Sequence, residues 1–177
     1  MENTGSPPAT TRNAGPRPVL DFGRGPPAPP LFWNAKMSIR MALLPLFVQV
    51  ALTLGLLLWL AVLRRNDITS GATHPSRIAL REPNWPPRTQ QVAYAFSNQF
   101  ELPVLFYVLT ILEIVTRQAD YIFVMLAWIF VLTRIAHAYV HTTNNVVLRR
   151  GGLYAVGAIA LIVMWIIFML RILLPLP

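Results

Sequence analysis

The 177-residue sequence contains no cysteine. That absence excludes disulfides, thiolate nucleophiles and cysteine–metal sites together, and it leaves the redox compartment unmarked. Charge is also scarce. Only 12% of residues are charged against 55% hydrophobic, where soluble domains carry roughly 25% charged residues. A soluble chain of this length cannot hide so much apolar surface, so a second apolar solvent is required, and lipid supplies it. Acidic residues are scarcest of all, 7 against 15 basic ones, for a net charge of +8. In a soluble protein that balance would point to nucleic acid. Here the arginines lie between and beside apolar runs, which fits loops facing anionic lipid headgroups, and no nucleic-acid partner is expected. A Ser–His–Asp set, a phosphate-cradling glycine loop and a nucleotide fingerprint are missing too.

What is present organises the chain into a tail and a membrane domain. Residues 1–36 are expected to be a disordered tail. They are rich in Pro, Gly, Ser and Thr through Pro30, lack the apolar core of a secretory signal, and carry Leu31, Phe32 and Trp33 as candidate interfacial anchors. Residues 37–177 are expected to be an all-α, integral membrane four-helix up-and-down bundle, with helices at about 41–63, 89–117, 119–147 and 153–174. The first run is uncharged, is flanked by Lys36, Arg40, Arg64 and Arg65, and carries Pro45 in its first turns. Pro103 is expected to kink the second helix, near whose end Glu113 and Arg117 stand four apart in the favourable order for a helix pair. The run Arg149-Arg150-Gly151-Gly152 is expected to break the chain between helices three and four, and Arg171 to snorkel to the interface. Gly55, Ala155, Gly157 and Ala158 are the candidate packing residues.

Short connections make helices two to four antiparallel neighbours. The basic residues then divide unevenly. Arg64, Arg65, Arg77, Arg81, Arg88, Arg149 and Arg150 fall in the first and third loops; Lys36, Arg40, Arg117 and Arg171 lie at the opposite end, with Arg12, Arg17 and Arg24 in the tail. The positive-inside rule therefore puts the two polar loops in the cytoplasm and both termini on the non-cytoplasmic side.

Two charges lie inside apolar segments, Glu101 and Arg134. A charge near mid-membrane costs roughly 2.5–3.5 kcal/mol on insertion scales, so such residues face protein or a watery cavity and usually pair. An intramembrane Glu101–Arg134 pair is expected. Asn98 is three residues before Glu101, and Arg134, His137, His141 and Asn144 follow at spacings of three, four and three, so each set shares one helix face. Two polar faces on adjacent helices must meet each other or water, forming a polar funnel toward the Arg149/Arg150 end. His137 and His141 could share a zinc ion on spacing alone, but a third ligand is wanting and no metal is expected. The bland reading of the same residues is a satisfied polar network that fixes helix register.

The strings Asn98-Gln99-Phe100-Glu101-Leu102-Pro103 and Arg134-Ile135-Ala136-His137, on the second and third of four spans, resemble the signatures of the membrane-associated proteins in eicosanoid and glutathione metabolism, the MAPEG family. Asn144, Asn145, Arg149 and Arg150 resemble the end of the second signature, and Leu105-Phe106-Tyr107 is most similar to a bacterial branch. The resemblance implies a homotrimer in a bacterial inner membrane. It implies glutathione as co-substrate, bound between subunits and open to the cytoplasm, and activity as a glutathione- or thiol-dependent transferase or peroxidase on lipophilic electrophiles. It assigns catalysis to Arg134 and Arg149, and substrate binding to Asn98, Glu101, His137, His141, Asn144, Tyr94, Arg88 and Arg150. Arginine suits carboxylate binding by its fork geometry, and a nearby cation lowers a thiol's pKa. The sequence departs from the family pattern at two places. Tyr94 stands where family enzymes carry an arginine, Arg88 being the nearest upstream, and His141 stands where they often carry a tyrosine. A non-catalytic lipid-binding or scaffold protein of the same fold is the competing expectation. A small transporter is the third, weakened by first and fourth helices with almost no polar face and by the lack of an inverted repeat.

Overall fold

A computed structural model of the chain describes residues 38–78 and 84–174. The expected tail with its three anchors, and Lys36 and Arg81, lie outside the described residues. Five α-helices form: α1 (Ile39–Thr69), α2 (Pro87–Ser97), α3 (Leu102–Val115), α4 (Tyr121–Thr142) and α5 (Val147–Leu173). With α2 and α3 counted as one interrupted span, Pro87–Val115, four segments are long and apolar enough to cross a bilayer. The protein is an integral, multi-pass membrane protein built as a four-span helical bundle.

The helix limits have local causes. α1 continues past Arg64 and Arg65 to Thr69, and because it starts at Ile39, Pro45 falls inside it rather than in its first turn. The second span is interrupted, not merely kinked. Residues Asn98–Phe100 form a 3-10 turn, Glu101 takes φ −94°, ψ −102°, and α3 restarts at Leu102. Pro103 thus stands near the start of a new helix, where its missing N–H is harmless. The break changes the span's packing: α2 lies against α4, α3 packs on α5 as well as stacking Phe106 on Phe130 of α4, and α1 packs on both. α3 ends at Val115, so Arg117 adopts a left-handed φ of +57° in the turn, and the expected Glu113–Arg117 helix pair does not form. Asp120 begins α4 by accepting the Phe123 N–H at 2.8 Å. The expected break at Gly151-Gly152 does not exist. The chain turns earlier, at Thr143–Val146, with Asn145 at φ +47°, and α5 runs uninterrupted through both glycines.

The core joins Ala42 of α1, Phe106 and Leu109 of α3, Phe123, Ala127, Phe130 and Val131 of α4, and Leu161, Met164 and Phe168 of α5. Phe106 and Phe130 stack at 4.8 Å. The α4–α5 contact is the most extensive, and Gly157 permits it: a Cβ there would meet Thr133 Oγ1 at 2.8 Å. The other candidate glycine, Gly55, faces open space. α1 does carry a polar residue inward. Gln49, fully buried, donates from Nε2 to Gln99 Oε1 at 2.8 Å, and Gln99 donates to the Ala95 carbonyl at 3.1 Å. At the far end Arg171 reaches the α3–α4 turn. It pairs with Asp120 at 2.5 Å and donates to the Gln118 carbonyl at 3.3 Å, tying α5 to the α3–α4 turn.

Candidate functional site

The polar residues of the second and third spans gather at the end of the bundle that holds the α1–α2 and α4–α5 connections. α4 presents Arg134, His137 and His141 on its buried face, as their spacing requires. α2 contributes Tyr94, the 3-10 turn after it Asn98, and the first turns of α5 Arg150, Gly151 and Tyr154. Except for Arg134, these residues line one cavity of about 380 Å³, within the size range of small-molecule sites.

Arg134 lies behind the cavity at 0% exposure. It donates from Nη2 to the Asn98 carbonyl at 3.0 Å, and its guanidinium stands 5.4 Å from the centre of the Tyr154 ring. The carbonyl is available because α2 ends at Asn98 and residue 102 opens a new helix. Nε and Nη1 of Arg134 are buried without a hydrogen-bond partner, as is Nδ1 of His137. His141 accepts from Arg150 Nη1 at its Nε2, 2.8 Å away. Arginine can only donate, so His141 carries its proton on Nδ1, which lies 3.4 Å from the Asn98 amide. The Asn98 atom that faces it is the amide nitrogen Nδ2, so a hydrogen bond in this tautomer requires the Asn98 amide to turn its oxygen to His141. Arg150 also reaches Asn145 Oδ1 at 3.1 Å. The rings of His137 and Tyr154 lie 5.8 Å apart, and those of His137 and His141 5.7 Å.

The expected Glu101–Arg134 ion pair is not made. The break before α3 turns Glu101 to the outside of the chain, where it is exposed and accepts from Tyr154 Oη at 3.2 Å. Tyr154 therefore bridges the two charges, its ring under Arg134 and its hydroxyl on Glu101. The other expected residues divide. Tyr94 forms a wall of the cavity and is 54% exposed. Arg88 is outside it: its Nη1 donates to the Thr142 carbonyl, and its guanidinium lies 4.9 Å from the Trp59 ring centre. Together with Gln91, which donates to the His141 carbonyl at 2.7 Å, Arg88 closes the last turn of α4. Asn144 and Arg149 are exposed and do not line the cavity. The sequence reading missed Tyr154 and Gln91. Neither carries a charge or a periodic cue, and Tyr154 is a single tyrosine on an apolar helix. Among the described residues no group of three or more His, Cys, Asp or Glu could hold a metal ion.

The family model for MAPEG matches residues 42–170, which reaches from the first span into the fourth and includes every residue of the cavity. The chain belongs to the MAPEG family. Comparison with curated proteins and with solved structures returned no match. Within the MAPEG frame, the site has arginines on the third and fourth spans, Arg134 and Arg150, and none on the second-span wall, where Tyr94 stands.

Proposed function

We propose that the protein is a membrane-bound, glutathione-dependent transferase or peroxidase for lipophilic electrophiles, and that its thiol site is the cavity between Tyr94, Asn98, His137, His141, Arg150 and Tyr154. The observation that carries this reading is Arg134. A fully buried guanidinium with two unpartnered nitrogens, next to a cavity lined by a second arginine, is costly unless an anion completes it. Glutathione brings two carboxylates and an ionisable thiol, and membership of the MAPEG family supports it as the co-substrate.

In this reading Arg150 and Arg134 attract the anionic tripeptide and stabilise its thiolate. The thiol S–H bond breaks and its proton passes to cavity water. The sulfur lone pair forms a C–S bond to the electrophilic carbon, and the leaving group departs with its electron pair. With a hydroperoxide, two thiols supply two electrons: the O–O bond breaks, alcohol and water form, and the sulfurs join as a disulfide. His137 lines the cavity, and its Nδ1 is buried without a hydrogen-bond partner, so a ligand group that reaches it would complete its hydrogen bonding.

The test is titration of detergent-solubilised protein with glutathione, followed by near-ultraviolet thiolate absorbance, with Arg134→Ala and Arg150→Ala as comparisons. A signal lost in both variants, with the oligomer intact by size-exclusion chromatography, is expected. Equal binding by wild type and both variants would remove the site from consideration. A second reading, a non-catalytic lipid-binding or scaffold protein, is favoured by Tyr94, which leaves the second-span wall without a cation. It predicts no thiolate and a retained lipid. The resemblance supports a homotrimer. The charge distribution supports the α1–α2 and α4–α5 connections facing the cytoplasm, with residues 1–36 as a tail outside the membrane domain.

A further inference from the structure

The connection between α4 and α5 brings three polar side chains together beside the cavity. His141 lies in the last turn of α4, Asn145 holds the left-handed position of the connection, and Arg150 lies in the first turn of α5. Arg150 Nη1 reaches both of the others, at 2.8 Å to His141 Nε2 and 3.1 Å to Asn145 Oδ1. This nitrogen carries two hydrogens, so the two acceptors occupy it fully. The end-on fork of the guanidinium, which needs Nη1 together with Nη2, is thereby closed. The side-on fork, Nε with Nη2, is the edge that remains for a carboxylate.

His141 is itself held in place. It is 2% exposed, its carbonyl accepts from Gln91 Nε2 at 2.7 Å, and its ring lies 5.7 Å from that of His137. Helix stability does not ask for the cation. A positive charge in the first turn opposes the macrodipole, and no acidic residue stands in that turn of α5 to offset it. Arg150 and His141 instead line the cavity together.

We propose that His141 is a positioning residue: with Asn145 it holds Nη1 of Arg150, so that the Nε–Nη2 edge of the guanidinium meets a ligand carboxylate. The inference rests on the thiol-site reading, in which that carboxylate belongs to glutathione. It gives a role to the histidine that stands where family enzymes often carry a tyrosine. His141 acts through Arg150 and not on the ligand.

The experiment uses full-length protein in detergent and two measurements. The first needs no ligand. Nitrogen-15 NMR of histidine-labelled protein reads the imidazole tautomer; the sequence holds three histidines, and His141→Gln identifies the signal. An unprotonated Nε2 whose shift changes in Arg150→Ala is expected, and a protonated Nε2 would overturn the tether. The second is equilibrium binding of glutathione and of its diester, in which both carboxylates are esterified. His141→Leu should weaken glutathione about tenfold, the effect of one hydrogen bond to a charged group, and leave the diester unchanged. His141→Gln, whose amide oxygen can replace Nε2, should recover most of the loss. In an Arg150→Ala chain, His141→Leu should have no further effect. If His141→Leu fails to fold, Asn145→Gly, which keeps the left-handed turn and removes the other acceptor, carries the same comparison. A purely structural histidine would weaken both ligands alike and add its loss to that of Arg150→Ala. Either result would overturn the proposal, as would undiminished glutathione binding by His141→Leu. No glutathione binding by the wild type would instead remove the thiol site, and the NMR signal alone would then decide the tether.

Discussion

Arg134 makes the greatest single demand on the fold, because a guanidinium in a span costs roughly 2.5–3.5 kcal/mol on insertion scales. The Asn98 carbonyl and the Tyr154 ring offset part of that cost. Replacing Tyr154 with Phe keeps the ring and removes only the bond to Glu101, so little change in thermal stability is expected. Tyr154→Leu removes the cation–π contact and should lower stability by about 0.5–2 kcal/mol; equal melting of the two variants would show that the ring holds nothing. A second residue-scale prediction concerns Gly157. Alanine there would press on Thr133 Oγ1 at 2.8 Å, and overpacking of this kind costs typically 1–3 kcal/mol. Gly157→Ala should melt earlier, and Thr133→Ala in the same chain should recover most of the loss. At this scale Arg134, His137 and His141 were legible because helical spacing fixes a shared face. Glu101 was misread because pairing by depth assumes a continuous helix. Tyr154 was hidden because nothing near it in sequence announces its partners.

At the scale of elements, the interrupted second span decides the arrangement. Pro103 in the sequence announced a disturbance, but a kink and a restart differ in where the following side chains point. The restart at Leu102 sends Glu101 outward and brings α3 onto α5 while Phe106 still stacks on Phe130 of α4. Gln49 and Gln99 hold the break against α1 in a buried pair. Gln99→Leu strands the Gln49 amide, so a loss of about 1 kcal/mol is expected in detergent unfolding, in line with intramembrane hydrogen bonds. The Gln49→Leu/Gln99→Leu double variant should lose less than the sum of the two single changes; strict additivity would show that the pair does not couple. The end of α4 was misplaced because Gly151-Gly152 read as a stop. The stop is instead Asn145 in a left-handed turn, and α5 carries the two glycines in its first turns, glycine being more frequent in membrane helices than in soluble ones.

The whole molecule was the most legible level. Four apolar runs and their connections specify four antiparallel spans, and the paired signatures specify the family. Orientation follows from loop charge alone and is open to direct test. The chain has no cysteine, so single cysteines report cleanly. Ser70→Cys, exposed after α1, should react with a membrane-impermeant maleimide only after permeabilisation, and Thr116→Cys, exposed after α3, without it; the reverse pattern would invert the topology. The Asn98 carbonyl has one further consequence, for divergence among relatives. Arg134 is moored to main chain, not to a side chain, so position 98 is free to drift without casting the arginine loose. What such drift forfeits is the group facing His141 Nδ1, so lineages that change Asn98 should retain the fold and alter the site one residue at a time.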